Sequence, residues 1–169
     1  MDKIGTSVGV KSKGFLAWAI RAITGTEYNH WYIVVKALKD SKDGIVKAGE
    51  LCIAEAIEAG ICYTPINHYE DKSKYTLLKR FPVNPIDENI VNNEALNHLG
   101  NPYDVLDLTA EQPLFIETGL WIGGKSTDKW ICVKFCLYLL YKASGNKYFE
   151  NWYEDNNIFL CDTDLLKTI

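Results

Sequence analysis

The chain has 169 residues, of which 47% are hydrophobic, and it carries a formal net charge of −4. This length and composition predict one domain with a hydrophobic core, spanning residues 1–169. The acidic balance and a pI near 5.4 argue against a nucleic-acid-binding protein, because phosphate recognition usually needs a basic surface.

The N-terminus and the cysteines bear on the compartment. Residues 1–5 lack the apolar run of a signal peptide, and no stretch approaches the roughly 20 apolar residues of a membrane span. We therefore expect a protein that is cytoplasmic as synthesised and has no integral membrane segment. An odd number of cysteines without regular spacing favours free thiols over a disulfide framework. The cysteines are Cys52, Cys62, Cys132, Cys136 and Cys161.

The first predicted elements are a short amphipathic helix and a buried strand. Residues 13–24 carry apolar side chains at helical spacing, and Gly25 follows as a stop signal. The apolar positions of this helix are Phe15, Leu16, Ala19, Ile20 and Ile23. Residues 30–35 are rich in aromatic and β-branched side chains, which is typical of a buried strand. His30 is the first residue of that strand.

The middle of the chain predicts an antiparallel meander. Residues 50–58 alternate in polarity, so that Leu51, Ile53, Glu55 and Ile57 share one face of a strand. A turn at Ala59-Gly60 leads to a hairpin partner at residues 61–65, and residues 75–81 supply a further strand. Glu55 interrupts an apolar row. Its carboxylate must be neutralised or paired, because an isolated charge is costly to bury.

The second half of the chain predicts helices joined by loops. Residues 85–99 have one apolar helical face, and residues 100–104 (Gly-Asn-Pro-Tyr-Asp) form a turn. Residues 105–115 predict another helical piece. Residues 117–129 predict a long glycine-containing loop that we expect to form one wall of a cleft. The aromatic-rich tail ends in a capped turn at residues 162–166.

Cys132 is the candidate nucleophile. Residues 126–132 run from capping residues into an apolar helical pattern, which places Cys132 in the first turn of a helix. There the unpaired backbone N–H groups and the helix dipole favour the reactive thiolate. Cys136 lies one turn later on the same face. We assign it to packing, because the dipole effect fades within a turn and buried free cysteine is common in cores.

His30 and Glu55 are the candidate partners of this cysteine. A cysteine hydrolase needs a thiolate, a base and usually a third polar group that orients the imidazole. His30 begins a strand after a polar turn, from where it can reach a cleft, and a hydrogen bond to it would satisfy Glu55. Structural alternatives remain open for both residues. Taken by itself, a histidine at a strand start is more often structural than catalytic. A glutamate in the position of Glu55 is about as often exposed to solvent or paired with a lysine as it is part of a site. His68 and His98 are predicted to be surface residues.

Four further residues are candidates to line the cleft, and a metal site is a weaker alternative. The cleft candidates are Tyr103, Asp104, Trp130 and Trp31, although a turn tyrosine is more often a packing anchor. A metal site built from Cys132, Cys136 and His30 matches structural zinc patterns poorly, because C-x-x-x-C on a helix is not their usual spacing. No metal or cofactor is therefore predicted.

Several short motifs follow one another in a distinctive order along the chain. They are Tyr28-Asn29-His30 before a strand, Glu55-Ala56 followed by Gly60 and Pro65, residues 100–104, Trp130-Ile131-Cys132 before a helix, and Asp164-Leu165. Together they resemble the circularly permuted branch of the NlpC-type papain-like hydrolases, the YiiX and YaeF relatives. In the non-permuted family the cysteine helix precedes the histidine strand. The order His30, Glu55, Cys132 is typical of the permuted branch.

The resemblance implies a fold and a role for each candidate residue. The fold would be α+β and papain-like, with a small antiparallel sheet packed against the helix that carries the nucleophilic cysteine. Cys132 would be the nucleophile, His30 the general base and acid, and Glu55 the group that orients His30. The reaction would pass through a thioester acyl-enzyme, with a backbone N–H at the helix start, that of Cys132 itself, holding the oxyanion.

The chain departs from the family pattern in two features. Val133 and Lys134 occupy the places of a frequent Ser-Glu pair, which leaves the polarity of the pocket open. A Gly-Asp segment that often opens the family's first strand is not found before residue 14, which indicates a shortened or diverged first strand. Neither departure removes a member of the proposed triad.

The expected function is a thiol hydrolase that cleaves an amide or peptide bond, with a cell-wall peptide as one candidate substrate. The alternatives are an acyltransferase or lipid-acyl hydrolase of the same fold, and a catalytically silent module that binds a peptide or an acyl chain. A cell-wall enzyme without a signal peptide would have to act inside the cell, be released by lysis, or travel with a phage or a secretion system. The oligomeric state is left open.

Overall fold

The computed structural model describes residues 2–24, 27–81, 85–104 and 130–145. Within these ranges the chain has an α+β architecture of five strands and three helices. The strands are β1 (Ser7–Ser12), β2 (His30–Lys36), β3 (Leu51–Ile57), β4 (Gly60–Pro65) and β5 (Tyr75–Phe81), and a 3-10 turn (His68–Glu70) joins β4 to β5. The helices are α1 (Phe15–Thr24), α2 (Glu88–His98) and α3 (Cys132–Ser144).

The strands form one antiparallel sheet in the order β4-β3-β2-β1-β5. The meander predicted over residues 50–81 is confirmed for β3 and β4, which pair as a hairpin, and is wrong for β5. β5 has the predicted bounds, but it pairs with β1 at the opposite edge of the sheet. The predicted helix at residues 105–115, the loop at 117–129 and the capped turn at 162–166 lie outside the described residues.

Strand β1 was not among the elements predicted along the chain, and its sequence, Ser-Val-Gly-Val-Lys-Ser, contains no Gly-Asp pair. Val8 and Val10 are fully buried on one face of the sheet. Gly9 lies between them on the other face, where a Cβ atom would come within 2.8 Å of the ring of Tyr28. Glycine weakens the strand signal in a sequence, but here it permits close packing of an aromatic ring against the backbone.

The two faces of the sheet bury different sets of side chains. One face packs against α2 and α3, and its core includes Ile33, Val35, Cys52, Ala54, Ala56, Phe135, Leu139 and Leu140. The opposite face carries a smaller cluster, made of Val8, Val10, Tyr32, Val34, Ile53 and Tyr69. The alternation predicted for β3 agrees with this division, because Cys52, Ala54 and Ala56 face the helices. Glu55 therefore belongs to the smaller cluster's face.

Helix α1 departs from the predicted amphipathic pattern at Phe15. Phe15, which was expected in the apolar row of an amphipathic helix, is 80% exposed. Ala17 is buried, and Arg21, one turn later, donates hydrogen bonds to Ser12 O at 2.9 Å and Asn29 Oδ1 at 2.8 Å. The prediction was wrong for Phe15 because helical spacing alone does not tell which apolar side chains are buried.

Helix α2 begins at a side-chain cap and packs against α3. The carboxylate of Asp87 accepts hydrogen bonds from the backbone N–H groups of Asn89 and Ile90. This cap fixes the helix start at Glu88, three residues after the predicted start at Pro85. No helix in the described ranges is both long enough and apolar enough to cross a membrane.

Candidate active site

Cys132 is the first residue of α3. The N-cap residue is Ile131, whose extended backbone has φ −100° and ψ 159° and whose side chain makes no capping hydrogen bond. The capping residues predicted at positions 126–128 lie outside the described residues. The first N–H groups of α3 point toward this helix end, where they favour negative charge. The Cys132 side chain lies at this end and is only 8% exposed.

The backbone before α3 is held in place by the turn at residues 100–104. Trp130 N donates to Pro102 O at 3.1 Å, and Asp104 N donates to Trp130 O at 3.0 Å. The same turn is bound to the start of β4, because Ile61 N donates to Asn101 O at 2.9 Å. These bonds connect the start of the cysteine helix to the strand that pairs with β3.

His30 and Glu55 meet on the sheet face opposite α2 and α3. Glu55 pairs with Tyr32 across β2 and β3, and His30 lies two residues before Tyr32 on the same face. This register makes His30 a diagonal neighbour of Glu55. His30 Nε2 lies 2.6 Å from Glu55 Oε2. The pair is well shielded from water, because the His30 side chain is 14% exposed and that of Glu55 is 2% exposed.

Two hydroxyl groups that were not predicted complete the surroundings of Glu55. Tyr69 OH donates to Glu55 Oε2 at 2.5 Å, and Thr64 Oγ1 donates to Glu55 Oε1. Thr64 was accessible to sequence reasoning, because the hairpin places it two residues beyond Cys62, the cross-strand partner of Glu55. Tyr69 lies on the 3-10 turn, where no strand register marked it as a neighbour of the site.

The imidazole of His30 also reaches Cys132. The two side chains are hydrogen-bonded, and since Nε2 faces Glu55, Nδ1 is the nitrogen that faces the sulfur. The backbone N–H groups of Trp31 and Val133 donate further hydrogen bonds to Cys132. The pairing between β2 and β3 ends at Tyr32 and Glu55. The N–H of Trp31, one residue earlier in β2, therefore donates to Cys132 rather than to β3. The structure therefore brings Cys132, His30 and Glu55 into one hydrogen-bonded chain.

The environment shifts the pKa of each member of this chain. Burial lowers the pKa of His30, but its hydrogen bonds and charge interactions with Cys132 and Glu55 outweigh burial and raise the pKa to about 10. Burial raises the pKa of Cys132, but His30 and the two backbone N–H groups lower it below its usual value. The pKa of Glu55 is likewise lowered, because hydrogen bonds from His30, Thr64 and Tyr69 outweigh burial. These shifts favour a thiolate beside an imidazolium.

The other described cysteines have the opposite electrostatic environment. Cys136 is buried, and burial raises the pKa of its thiol well above the usual range despite a hydrogen bond with Ser7. Burial also raises the pKa of Cys52 to about 12 and that of Cys62 to about 11. All four described cysteines are free thiols, and Cys132 alone among them has a lowered pKa. Cys161 lies outside the described residues.

The four cleft-lining candidates occupy two different environments. The side chains of Trp31 and Trp130 are buried in the core beneath the site, with the ring of Trp31 edge-on to Tyr28 at 5.5 Å. Tyr103 and Asp104 are half-buried on the turn that binds Trp130. The loop expected to form a cleft wall lies outside the described residues.

Of the two histidines predicted to be on the surface, His68 is exposed and His98 is not. The ring of His98 packs edge-on against Trp130 at 4.9 Å and against Tyr138 at 5.0 Å. His98 Nδ1 is 2.8 Å from Glu94 O, one turn earlier in α2. The prediction was wrong for His98, because the residue lies on the side of α2 that packs against α3.

The described side chains do not form a metal site. No group of three or more histidine, cysteine, aspartate or glutamate residues in the described ranges has a geometry that would hold a metal ion. In the candidate site, both ring nitrogens of His30 are engaged, one by Glu55 and the other by Cys132. A metal bound to His30 would have to displace one of these partners.

Comparison with known proteins identifies a similar solved structure. No protein-family model matches the chain, and no curated protein does. The fold is similar to that of the metalloprotein YiiX from Escherichia coli O157:H7, with a TM-score of 0.58 and 18% sequence identity. The match covers 85% of this chain and 67% of YiiX. At this identity the likeness establishes the fold alone, and the chain has a YiiX-like α+β fold.

Proposed function

We propose that this protein is a papain-like thiol hydrolase of the permuted NlpC type, with Cys132, His30 and Glu55 as its catalytic residues. The observation that carries the proposal is the continuous hydrogen-bonded chain from the Cys132 sulfur through His30 to the buried Glu55 carboxylate. A thiolate at a helix start, beside an imidazolium that a carboxylate orients, is the arrangement that nucleophilic catalysis by cysteine requires.

The proposed reaction begins with attack on an acyl carbon. The Cys132 thiolate forms a C–S bond to the carbonyl carbon, and the carbonyl electron pair moves to oxygen. The proposed donor to this oxyanion is the backbone N–H of Cys132, in the first turn of α3. His30 Nδ1 then gives its proton to the leaving amine as the C–N bond breaks, leaving a thioester. A water molecule, deprotonated by His30, attacks the thioester and regenerates the thiolate.

The substrate is proposed only as a class. An amide or peptide bond fits the reaction, and a cell-wall peptide is one candidate. An acyltransferase or lipid-acyl hydrolase would share the first half of the reaction and differ in the acceptor that resolves the thioester. A silent binding module would need neither a lowered cysteine pKa nor a histidine held between a thiol and a carboxylate, so the site geometry favours an enzyme.

YiiX is described as a metalloprotein, but the described residues of this chain do not fit a metal ion. The three candidate catalytic side chains already satisfy one another, and Thr64 and Tyr69 occupy further positions around Glu55. The proposed reaction therefore uses only the side chains and backbone groups named above.

The proposal is tested by comparing Cys132→Ala with Cys136→Ala. Both cysteines are buried in α3 one turn apart, but only Cys132 is bonded to His30. Activity is measured on a panel of amide and thioester substrates, and the acyl-enzyme is sought by intact-protein mass spectrometry. We expect Cys132→Ala to lose turnover and acyl-enzyme by at least about 10³-fold, and Cys136→Ala to retain both within a few-fold.

Two results would contradict the proposal. One is an acyl adduct that forms on Cys136 or persists in Cys132→Ala. The other is a wild-type protein that binds the panel substrates without turning any of them over or forming an adduct. Circular dichroism of both variants serves as the control for folding.

A further inference from the structure

The carboxylate of Glu55 accepts more hydrogen bonds than the orientation of His30 requires. Oε2 receives both His30 Nε2 at 2.6 Å and Tyr69 OH at 2.5 Å, while Oε1 receives the hydroxyl of Thr64. Three donors from three separate elements, β2, β4 and the 3-10 turn, therefore converge on one buried side chain. This convergence points to a role beyond packing.

We propose that Tyr69 is a positioning residue that keeps Glu55 ionised and thereby fixes which nitrogen of His30 carries its proton. The proposal rests on the proposed function, since it assigns Tyr69 a part in preparing the same site. Thr64 supports the same state from the other carboxylate oxygen.

The position of the Tyr69 hydroxyl is fixed by aromatic packing. The ring of Tyr69 stacks on that of Tyr32 with centroids 5.2 Å apart and an interplanar angle of 14°. The ring of Tyr75 meets it edge-on at 4.8 Å. Tyr32 is the cross-strand partner of Glu55, so the stack directs the hydroxyl to the carboxylate. Tyr69 is 8% exposed, and it covers Glu55 on this face of the sheet.

The donors around Glu55 select its charged form. A carboxylate accepts all three hydrogen bonds, whereas a protonated carboxyl group would turn a hydrogen toward one of three donors. With Glu55 ionised, His30 Nε2 must carry a hydrogen, and Nδ1 is the nitrogen that exchanges a proton with Cys132. Burial and the neighbouring Glu55 charge raise the pKa of Tyr69, so the tyrosine keeps its proton and remains a donor.

The test compares Tyr69→Phe with the matched control Tyr75→Phe. Each variant removes one hydroxyl from the same aromatic cluster and keeps the ring. The rate of Cys132 alkylation by iodoacetamide is measured from pH 4 to 9. In Tyr69→Phe the Glu55 carboxylate loses one donor, so we expect it to be protonated at a higher pH than in the wild type. The acid limb of the alkylation profile should then move up by about one pH unit, and the alkylation rate on that limb should fall about tenfold. Tyr75→Phe should retain the wild-type profile.

A second measurement reads the tautomer without relying on the thiol. In a Cys132→Ala background, the ¹⁵N shifts of the His30 ring report which nitrogen carries the hydrogen when the imidazole is neutral. We expect the hydrogen at Nε2 when Tyr69 is present and a smaller fraction of that tautomer in Tyr69→Phe, because the variant loses the hydrogen bond that holds Glu55 Oε2 toward the ring. Thr64→Val should shift the acid limb in the same direction, which provides a second variant if Tyr69→Phe does not fold.

The proposal is overturned if Tyr69→Phe is folded and leaves both the acid limb and the His30 tautomer unchanged. An unactivated thiol in the wild-type protein would instead contradict the proposed function, while the tautomer measurement would still decide the role of Tyr69. A purely structural role would lower the unfolding temperature without moving either readout.

Discussion

At the scale of single residues, Glu55 is a buried carboxylate whose charge depends on its three hydrogen-bond donors. We expect Glu55→Gln to destabilise the protein by about 2 kcal/mol at pH 7, because the amide NH2 group must face one of those donors and the His30 cation loses its partner. Urea denaturation measures this change. Glu50→Gln, at an exposed position, is the control and should change the unfolding free energy by less than about 0.5 kcal/mol.

The pH dependence of this loss follows from the pKa shifts. The folded-state pKa of Glu55 is lowered, so its charge stabilises the protein above the unfolded pKa of about 4.3 and this contribution disappears as pH falls through the folded pKa. The pKa of His30 is raised to about 10, so its contribution is complete below about 6.5 and is lost as pH rises through 10. The difference between wild type and Glu55→Gln should therefore shrink at acid pH, and a constant difference would refute this assignment.

The ionisable residues of the site could be predicted from the sequence, whereas the hydroxyl groups that support them were not predicted. Cys132, His30 and Glu55 each stood out because a charged or reactive side chain was placed at an unusual point of a helix or strand. Thr64 and Tyr69 did not stand out, since a hydroxyl on a strand or a turn is common. Their importance depends on which side chain they face, and only the register and the path of the 3-10 turn decide that.

At the scale of elements, the turn that holds the start of α3 depends on Gly60. This residue has φ +102°, and a Cβ atom there would lie 2.6 Å from Asn101 O. We expect Gly60→Ala to lower the free energy of unfolding by about 3 kcal/mol, from backbone strain and from the clash with the turn. Gly49→Ala is the control, because Gly49 has φ +90° but nothing lies within 4 Å of its Cβ position.

The control should lose only about 1–2 kcal/mol, the cost of the left-handed backbone alone. The difference between the two variants in chemical denaturation therefore measures the contact between β4 and the turn. Equal losses would show that this contact does not contribute to stability.

Most element bounds followed from local pattern, and the exceptions have physical causes. β5 had its predicted bounds because its apolar and turn signals are local, but its partner β1 lies more than sixty residues earlier. β1 was missed because Gly9 interrupts it and its burial depends on the ring of Tyr28. The start of α3 was predicted from capping residues at positions 126–128, whereas the N-cap residue is Ile131.

At the scale of the whole molecule, the sheet order explains how residues distant in sequence meet. His30 and Glu55 share one face of the sheet because β2 and β3 pair in register. Helix α3 packs on the other face and brings Cys132 to the first residues of β2. The sequence order His30, Glu55, Cys132 suggested this arrangement through a family resemblance. The YiiX-like fold is shared with a solved structure at 18% identity, which indicates that the arrangement of elements is retained while most side chains differ.

The central claim is that this fold creates a thiolate–imidazolium pair between Cys132 and His30. The most direct test is the pH dependence of Cys132 alkylation by iodoacetamide, followed by peptide mass spectrometry, in wild type and in His30→Ala. We predict rapid modification of Cys132 below pH 7 in the wild type and its loss in the variant. Slow modification in both proteins, with a midpoint near the ordinary thiol pKa of about 8.5, would contradict the claim.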